Sequence, residues 1–237
     1  MSDAFARRIE PLGPGVKLFA LPRGEQLRRC LVWTVAVSLS FLFVFVLCDS
    51  ITASRSFRFR LDFAFEHRLP FVPALTLVYS SLYALFGVVA LTLNTNREID
   101  AFGCLLVLLL FVAGIGFLIV PAELAFVIPA DKGRLATAFE WADRCNLTYN
   151  LLPSLHVAYA VACAETVRKK QLLAAAWLHG WALAIAVSAW LTYQHHLVDL
   201  VAGYLVALLL CAIWYRSKQL PSYYQEPCTS HGDAHTS

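Results

Sequence analysis

Residues 150–168 read NLLPSLHVAYAVACAETVR, an apolar run with an ionisable side chain, His156, near its start. Ionisable groups are costly inside a membrane and usually have a function there. A second apolar run, residues 192–203, opens in the same way and reads TYQHHLVDLVAG, with His195 and Asp199 in its first turns. The two runs therefore predict two helices whose polar starts form one site.

The composition of the whole chain is that of a polytopic membrane protein. Of the 237 residues, 59% are hydrophobic and 15% are charged, whereas about a quarter of the residues in a soluble domain are charged. The formal net charge of +3 comes mainly from the flanks of apolar runs. No basic patch is interleaved with aromatic residues, so nucleic acid is not an expected partner.

Six stretches approach the length of about 20 apolar residues that a membrane-spanning helix needs. They are 30–48, 71–93, 101–120, 153–168, 172–191 and 197–215. None shows the alternation of polar and apolar residues that is typical of a barrel strand. Helices are the other structure in which all backbone polar groups are hydrogen-bonded within lipid. The sequence predicts an all-α, six-helix membrane domain over 30–215. A cytoplasmic segment, 1–29, precedes it, and a disordered cytoplasmic tail, 216–237, follows it.

The distribution of basic residues predicts the orientation. With six spans, both termini lie on one side, which holds twelve of the nineteen lysines and arginines, and the other seven lie in the connections 49–70 and 121–152. Basic residues favour the cytoplasmic side. The fourth and sixth spans then both begin at the opposite face, where we expect their polar clusters to meet. The short chain and compact loops favour a bacterial inner membrane, with the site facing the periplasm, or the lumen in a eukaryote.

Residue types and spacing predict the roles of the polar residues. His195 and Asp199 are four apart, which places them on one face of a helix. A carboxylate bonded to one imidazole nitrogen fixes the tautomer and makes the other nitrogen more basic, so His195 is a candidate nucleophile. His156 is the complementary candidate for a general acid. The helix start after Pro153 favours an anion, to which Ser154 can donate a hydrogen bond.

Other interpretations of these residues remain open. His156 alone is also compatible with a structural hydrogen bond at a helix start. His156, His195 and Asp199 have the ligand types of a metal site, although their spacing is not distinctive. His196 faces about 100° away from His195 on a helix and is expected to have a supporting role. The seven cysteines lack metal-binding spacing, and we expect neither a metal nor another cofactor.

The two polar motifs resemble those of a known family. PSLH at 153–156 and His195-x-x-x-Asp199 resemble the second and third signatures of the type 2 phosphatidic acid phosphatase (PAP2) superfamily, with Ser188 at the position of the third-signature serine. The flanking sequences YNLLPSLHVAYA and LTYQHHLVDLVAG resemble the branch of inositol phosphorylceramide and sphingomyelin synthases and bacterial PAP2-like proteins. The resemblance covers about 120–215, and the first two spans match only in outline.

The resemblance implies a mechanism without a metal. In it, His156 is the acid, His195 forms a phosphohistidine and Asp199 orients His195. Two basic positions of the family are absent, because Ala189 follows the signature serine and Ile128 precedes Pro129, where arginines are usual.

Other residues are therefore expected to bind the phosphate. The predicted substrate-binding residues are Ser154, Ser188, Lys132, Arg134 and Arg144.

The sequence predicts a membrane lipid phosphatase that cleaves a phosphomonoester or pyrophosphate of a lipid. A site at the membrane surface allows a lipid substrate to enter sideways. A lipid headgroup phosphotransferase is the first alternative, with a lipid hydroxyl in place of water. A non-catalytic lipid carrier or scaffold is the second, favoured by the missing arginines and opposed by the intact His156, His195 and Asp199.

Overall fold

The regular structure consists of helices in this computed structural model, which describes residues 18–168 and 170–217. The helices are α1 Glu25–Ala53, α2 Thr76–Ser80, α3 Leu82–Ala90, α4 Asn96–Ile119, α5 Ala136–Asn146, α6 Leu155–Arg168, α7 Leu172–Leu191 and α8 Leu197–Ser217, with 3₁₀ turns at Glu66–Arg68, Pro73–Leu75 and Gly133–Leu135. Within the described ranges no strand forms, and an isolated bridge pairs Phe59 with Ala122. The all-α prediction is confirmed. Most of the N-terminal segment and nearly all of the predicted disordered tail lie outside the described residues.

Five segments of the described residues are long and apolar enough to cross a membrane. They are Glu25–Ala53, Pro73–Ala90, Asn96–Ile119, Leu172–Leu191 and Leu197–Tyr215. They match five of the six predicted spans, and their length and composition indicate a membrane protein.

The remaining predicted span, at 153–168, differs from the others. Helix α6 has only 14 residues, about 21 Å at 1.5 Å per residue, whereas the hydrocarbon core of a bilayer is about 30 Å thick. Residues 147–154 before it are not helical. Residues 157–167 are all buried, because α3, α4, α7 and α8 pack around the helix. A six-span count is therefore not confirmed, and α6 is the core of the bundle rather than a helix exposed to lipid.

A close backbone contact fixes the start of α6 against α8. The Ser154 N–H donates to the Asp199 carbonyl oxygen at 2.9 Å. A Cβ added at Gly203 would lie 2.4 Å from the Ser154 carbonyl oxygen, so α8 approaches this closely only because residue 203 has no side chain. The two polar clusters predicted from the sequence are thereby held at one end of the bundle.

Replacing Gly203 with alanine is expected to destabilise the protein by roughly 1–3 kcal/mol, because the added methyl group pushes α8 away from α6. Gly180 of α7 provides the matched control, since a Cβ there meets nothing within 4 Å. Thermal unfolding in detergent measures both variants. Equal midpoints for Gly203→Ala and Gly180→Ala would show that the close approach does not matter.

The opposite end of α6 carries a cluster of ion pairs. Glu165 accepts from Arg168 Nε at 2.7 Å and contacts His179 Nε2 of α7 at 3.1 Å. Lys170 pairs with Glu98 Oε1 at 2.8 Å. These pairs connect α6 to α7 and to the start of α4.

Candidate functional site

A cavity of about 200 Å³ lies where α6 and α8 begin, and both His156 and His195 line it. Its other polar walls are Asp143, Asn146, Thr148, Asn150 and Gln194, and its apolar walls are Phe45, Leu124, Ile128, Leu147, Leu151 and Leu155. The structure thus brings the two predicted histidines to one cavity.

Asp199 lies behind His195 but does not form a close hydrogen bond with it. The distance from His195 Nδ1 to Asp199 Oδ2 is 3.5 Å, longer than a typical hydrogen bond. Asp199 Oδ2 instead accepts from the His196 backbone N–H at 2.9 Å. Asp199 is the third residue of α8, where a carboxylate commonly caps a helix start. It therefore caps α8 while keeping its second oxygen available.

Three predicted site residues carry buried polar atoms that have no hydrogen-bond partner among the described residues. They are Ser154 Oγ, His195 Nδ1 and Asp199 Oδ1. Buried polar atoms are nearly always paired, and each exception needs a cause such as a catalytic role. These three atoms lie at the junction of α6 and α8, beside the cavity that His156 and His195 line.

His156 is held by residues that were not predicted from the sequence. Its Nδ1 lies 2.9 Å from Tyr79 Oη, and the two rings stack with centroids 4.2 Å apart. Tyr79 Oη donates to Asn146 Oδ1 at 2.8 Å. Asn146 Nδ2 donates to Gln194 Oε1, and Gln194 Nε2 donates to Asp143 Oδ1 at 3.1 Å.

The sequence carries little signal for this network. Tyr79 lies in an apolar span, with no motif around it. Asp143 and Asn146 are three apart, which puts them on one face of a helix, and Gln194 directly precedes His195. Their mutual contacts depend on the packing of α2, α5 and the turn before α8.

His196 is buried and does not line the cavity, and Glu66 is its partner. His196 Nε2 accepts from the Ala125 N–H at 3.0 Å, so Nδ1 carries the ring proton and donates to Glu66 Oε2 at 2.8 Å. Glu66 is fully buried and also accepts from Trp190 Nε1 and the Phe63 N–H, both at 3.3 Å. This cluster joins the two long connections to the turn before α8.

The structure does not bring the predicted basic residues to the cavity. Lys132 pairs with Glu140 at 3.2 Å, and Arg134 and Arg144 are exposed; none of the three lines the cavity. Lys132 and Arg134 belong to the turn before α5. The residues of α5 that line the cavity, Asp143 and Asn146, lie near the other end of that helix.

Ser188 and Ala189 are also separate from the cavity wall. The Ser188 hydroxyl donates to the Ile185 carbonyl of its own helix at 2.7 Å, and Ser188 does not line the cavity. Ala189 is fully buried, and its carbonyl accepts from the Gln194 N–H at 2.9 Å. Ile128 does line the cavity, as an apolar wall.

Two arginines of the first long connection, Arg58 and Arg60, pair with Glu123. Glu123 accepts from Arg60 Nε at 2.8 Å and from Arg58 Nε at 3.2 Å. The hydrogen bonds from Arg60 and then Arg58 hold the pKa of the Glu123 carboxyl below its usual value. Arg58 also lies over the Tyr149 ring, 4.7 Å from its centroid. Within the described part of the chain, the residues that line the cavity include histidines but no lysine or arginine.

Within 18–168 and 170–217, no three His, Cys, Asp or Glu side chains are grouped so that they could hold a metal ion. No family model, curated protein or solved structure matches this chain. The site is therefore interpreted from its own geometry.

Proposed function

We propose that this protein is a membrane enzyme that cleaves a phosphate ester of a lipid through a phosphohistidine on His195, as its resemblance to the PAP2 superfamily implies. One observation carries the proposal: His156 and His195 line the same cavity, and the buried Asp199 lies 3.5 Å behind His195. In this proposal α6 is the buried fourth helix of a six-helix PAP2-type bundle. The site faces the non-cytoplasmic side of a bacterial inner membrane.

The proposed reaction has two steps. In the first, His195 Nε2 attacks phosphorus, the bond from phosphorus to the lipid oxygen breaks, and the imidazolium form of His156 gives that oxygen the proton on its Nε2 and becomes neutral. In the second, His156 takes a proton from water, whose oxygen displaces His195 and releases phosphate. Asp199 orients His195 and stabilises its positive charge in both steps.

A lipid substrate is supported by the apolar part of the cavity wall. Phe45 of α1, which is one of the candidate membrane-spanning helices, lines the cavity together with Leu124, Ile128 and Leu147. A site with apolar walls at one end of such helices fits an amphiphile whose headgroup lies at the membrane surface.

A headgroup phosphotransferase is the second candidate, and the charge of the cavity favours it. Among the residues that the structure describes, no lysine or arginine lines the cavity, whereas Asp143 does. A phosphodiester carries one negative charge and a phosphomonoester carries up to two. A phosphodiester donor therefore costs less to bind here, and a lipid hydroxyl takes the place of water in the second step.

A panel of lipids tests the proposal. The purified protein in detergent receives lipid phosphomonoesters and phosphodiester lipids, each with and without diacylglycerol or ceramide, and free phosphate and new lipids are measured together. Free phosphate that is lost in His195→Gln supports the phosphatase. A new phospholipid without free phosphate supports the transferase. No turnover by a folded protein across the panel would contradict both and favour a carrier or scaffold.

A further inference from the structure

We infer that Asp143, Gln194, Asn146 and Tyr79 form a hydrogen-bonded relay that sets the tautomer of His156, so that Nδ1 carries the ring proton and Nε2 serves the cavity. The inference rests on the proposed function for its catalytic meaning. The tautomer itself can be tested without any assay of activity.

The direction of the relay follows from its carboxylate end. An ionised carboxylate only accepts hydrogen bonds, so the Gln194 amide must turn its NH₂ group toward Asp143, as observed at 3.1 Å. The Gln194 carbonyl oxygen then faces Asn146 and accepts from its Nδ2. The Asn146 carbonyl oxygen is left to face Tyr79, where it accepts from the hydroxyl at 2.8 Å.

The last hydrogen bond of the relay determines which ring nitrogen of His156 carries the proton. A tyrosine hydroxyl has one proton, and Tyr79 gives it to Asn146. At the 2.9 Å contact with His156, Tyr79 Oη can therefore only accept, and His156 Nδ1 must be the donor. Stacking of the two rings holds the imidazole in this position.

The tautomer matches the chemistry proposed for His156. When the ring gives a proton to the leaving oxygen from Nε2, it becomes the neutral Nδ1–H form, which the relay favours. That form presents the Nε2 lone pair, which then takes a proton from the attacking water. The relay thus favours the neutral Nδ1–H form of His156. The first step leaves His156 in this form, and the second step uses it.

The relay also connects the two halves of the site. Asp143 and Asn146 belong to α5, Tyr79 belongs to α2, and Gln194 directly precedes His195. The Gln194 backbone N–H donates to the Ala189 carbonyl at 2.9 Å, which fixes the residue beside the proposed nucleophile. We therefore regard Tyr79 and Asp143 as positioning residues that act through His156.

Asp143→Asn and Tyr79→Phe test the relay with little change in shape. In Asp143→Asn the new amide can donate as well as accept, so the direction of the relay is no longer imposed. In Tyr79→Phe the acceptor for Nδ1 is lost while the stacking ring remains. Tyr159→Phe is the matched control, because the Tyr159 hydroxyl is buried and no group in the described ranges hydrogen-bonds to it.

The readout is the ¹⁵N NMR spectrum of the histidine side chains in the full-length protein in detergent, at a pH where His156 is neutral and with His156→Gln for assignment. We expect the wild type and Tyr159→Phe to show Nδ1–H and an unprotonated Nε2. Asp143→Asn and Tyr79→Phe should show a mixture or the Nε2–H form, together with a fall in kcat of about tenfold or more. A wild type with Nε2–H, or an unchanged tautomer in both variants, would overturn the inference. If the tautomer changes in the two variants as expected but the wild-type protein turns over no lipid, the inference holds and the proposed function is contradicted.

Discussion

Replacing His195 with glutamine is expected to reduce turnover of the lipid substrate by about a thousandfold or more, because no other residue is proposed to form the covalent intermediate. Losses of this size are typical when a nucleophile is removed. Glutamine keeps a polar side chain of similar length on the cavity wall, so that packing changes little. The measurement is kcat and kcat/KM on the best lipid of the panel.

His67→Gln is the control for the His195 variant. His67 is an exposed histidine that contacts Asp62 at 2.6 Å, and it does not line the cavity. We expect its activity to remain within about twofold of wild type, since surface ion pairs contribute little. A folded His195→Gln protein that keeps a tenth or more of the wild-type rate would show that His195 is not the nucleophile.

Replacing Glu66 with alanine is expected to lower the free energy of unfolding by roughly 3 kcal/mol, since it leaves the donors of His196 and Trp190 buried without an acceptor. Glu66 and His196 are both buried, and the distance between them is 2.8 Å. The loss should also release residues 55–69 from the turn before α8. Chemical unfolding in a fixed detergent measures the change.

Glu140→Ala is the matched control for Glu66→Ala. Glu140 accepts from Lys132 at 3.2 Å, but its side chain is 47% exposed. Exposed pairs contribute about 0–1 kcal/mol, so the two variants should differ clearly. Equal losses of stability would show that the buried cluster around Glu66 does not hold the connections in place.

The sequence was sufficient for the parts of the fold that depend on local composition. Long apolar runs require helices, and five of the six predicted spans appear with bounds close to those expected. The predicted span at 153–168 is not confirmed as membrane-spanning, because an apolar run does not reveal whether a helix faces lipid or other helices. Residues 147–154 are not helical, so α6 has only 14 residues. The helices α3, α4, α7 and α8 pack around it.

The meeting of the two histidines could be predicted because it follows from topology. His156 and His195 each precede or begin a helix, and the intervening α7 returns the chain to the same end of the bundle. The network around His156 could not be predicted, because Tyr79, Asn146 and Gln194 contact one another only through tertiary packing. The basic residues were assigned from their position before PSLH, and sequence proximity did not bring them to the cavity.

The central claim is that His195 carries the phosphate between the two steps, and trapping that intermediate tests it most directly. The purified protein is mixed with a lipid substrate carrying labelled phosphate, quenched in alkaline denaturant to preserve phosphohistidine, and digested for mass spectrometry. We predict label on His195 that disappears after a chase with unlabelled lipid and is absent in His195→Gln. Turnover without label on the protein, or label on another residue, would contradict the claim.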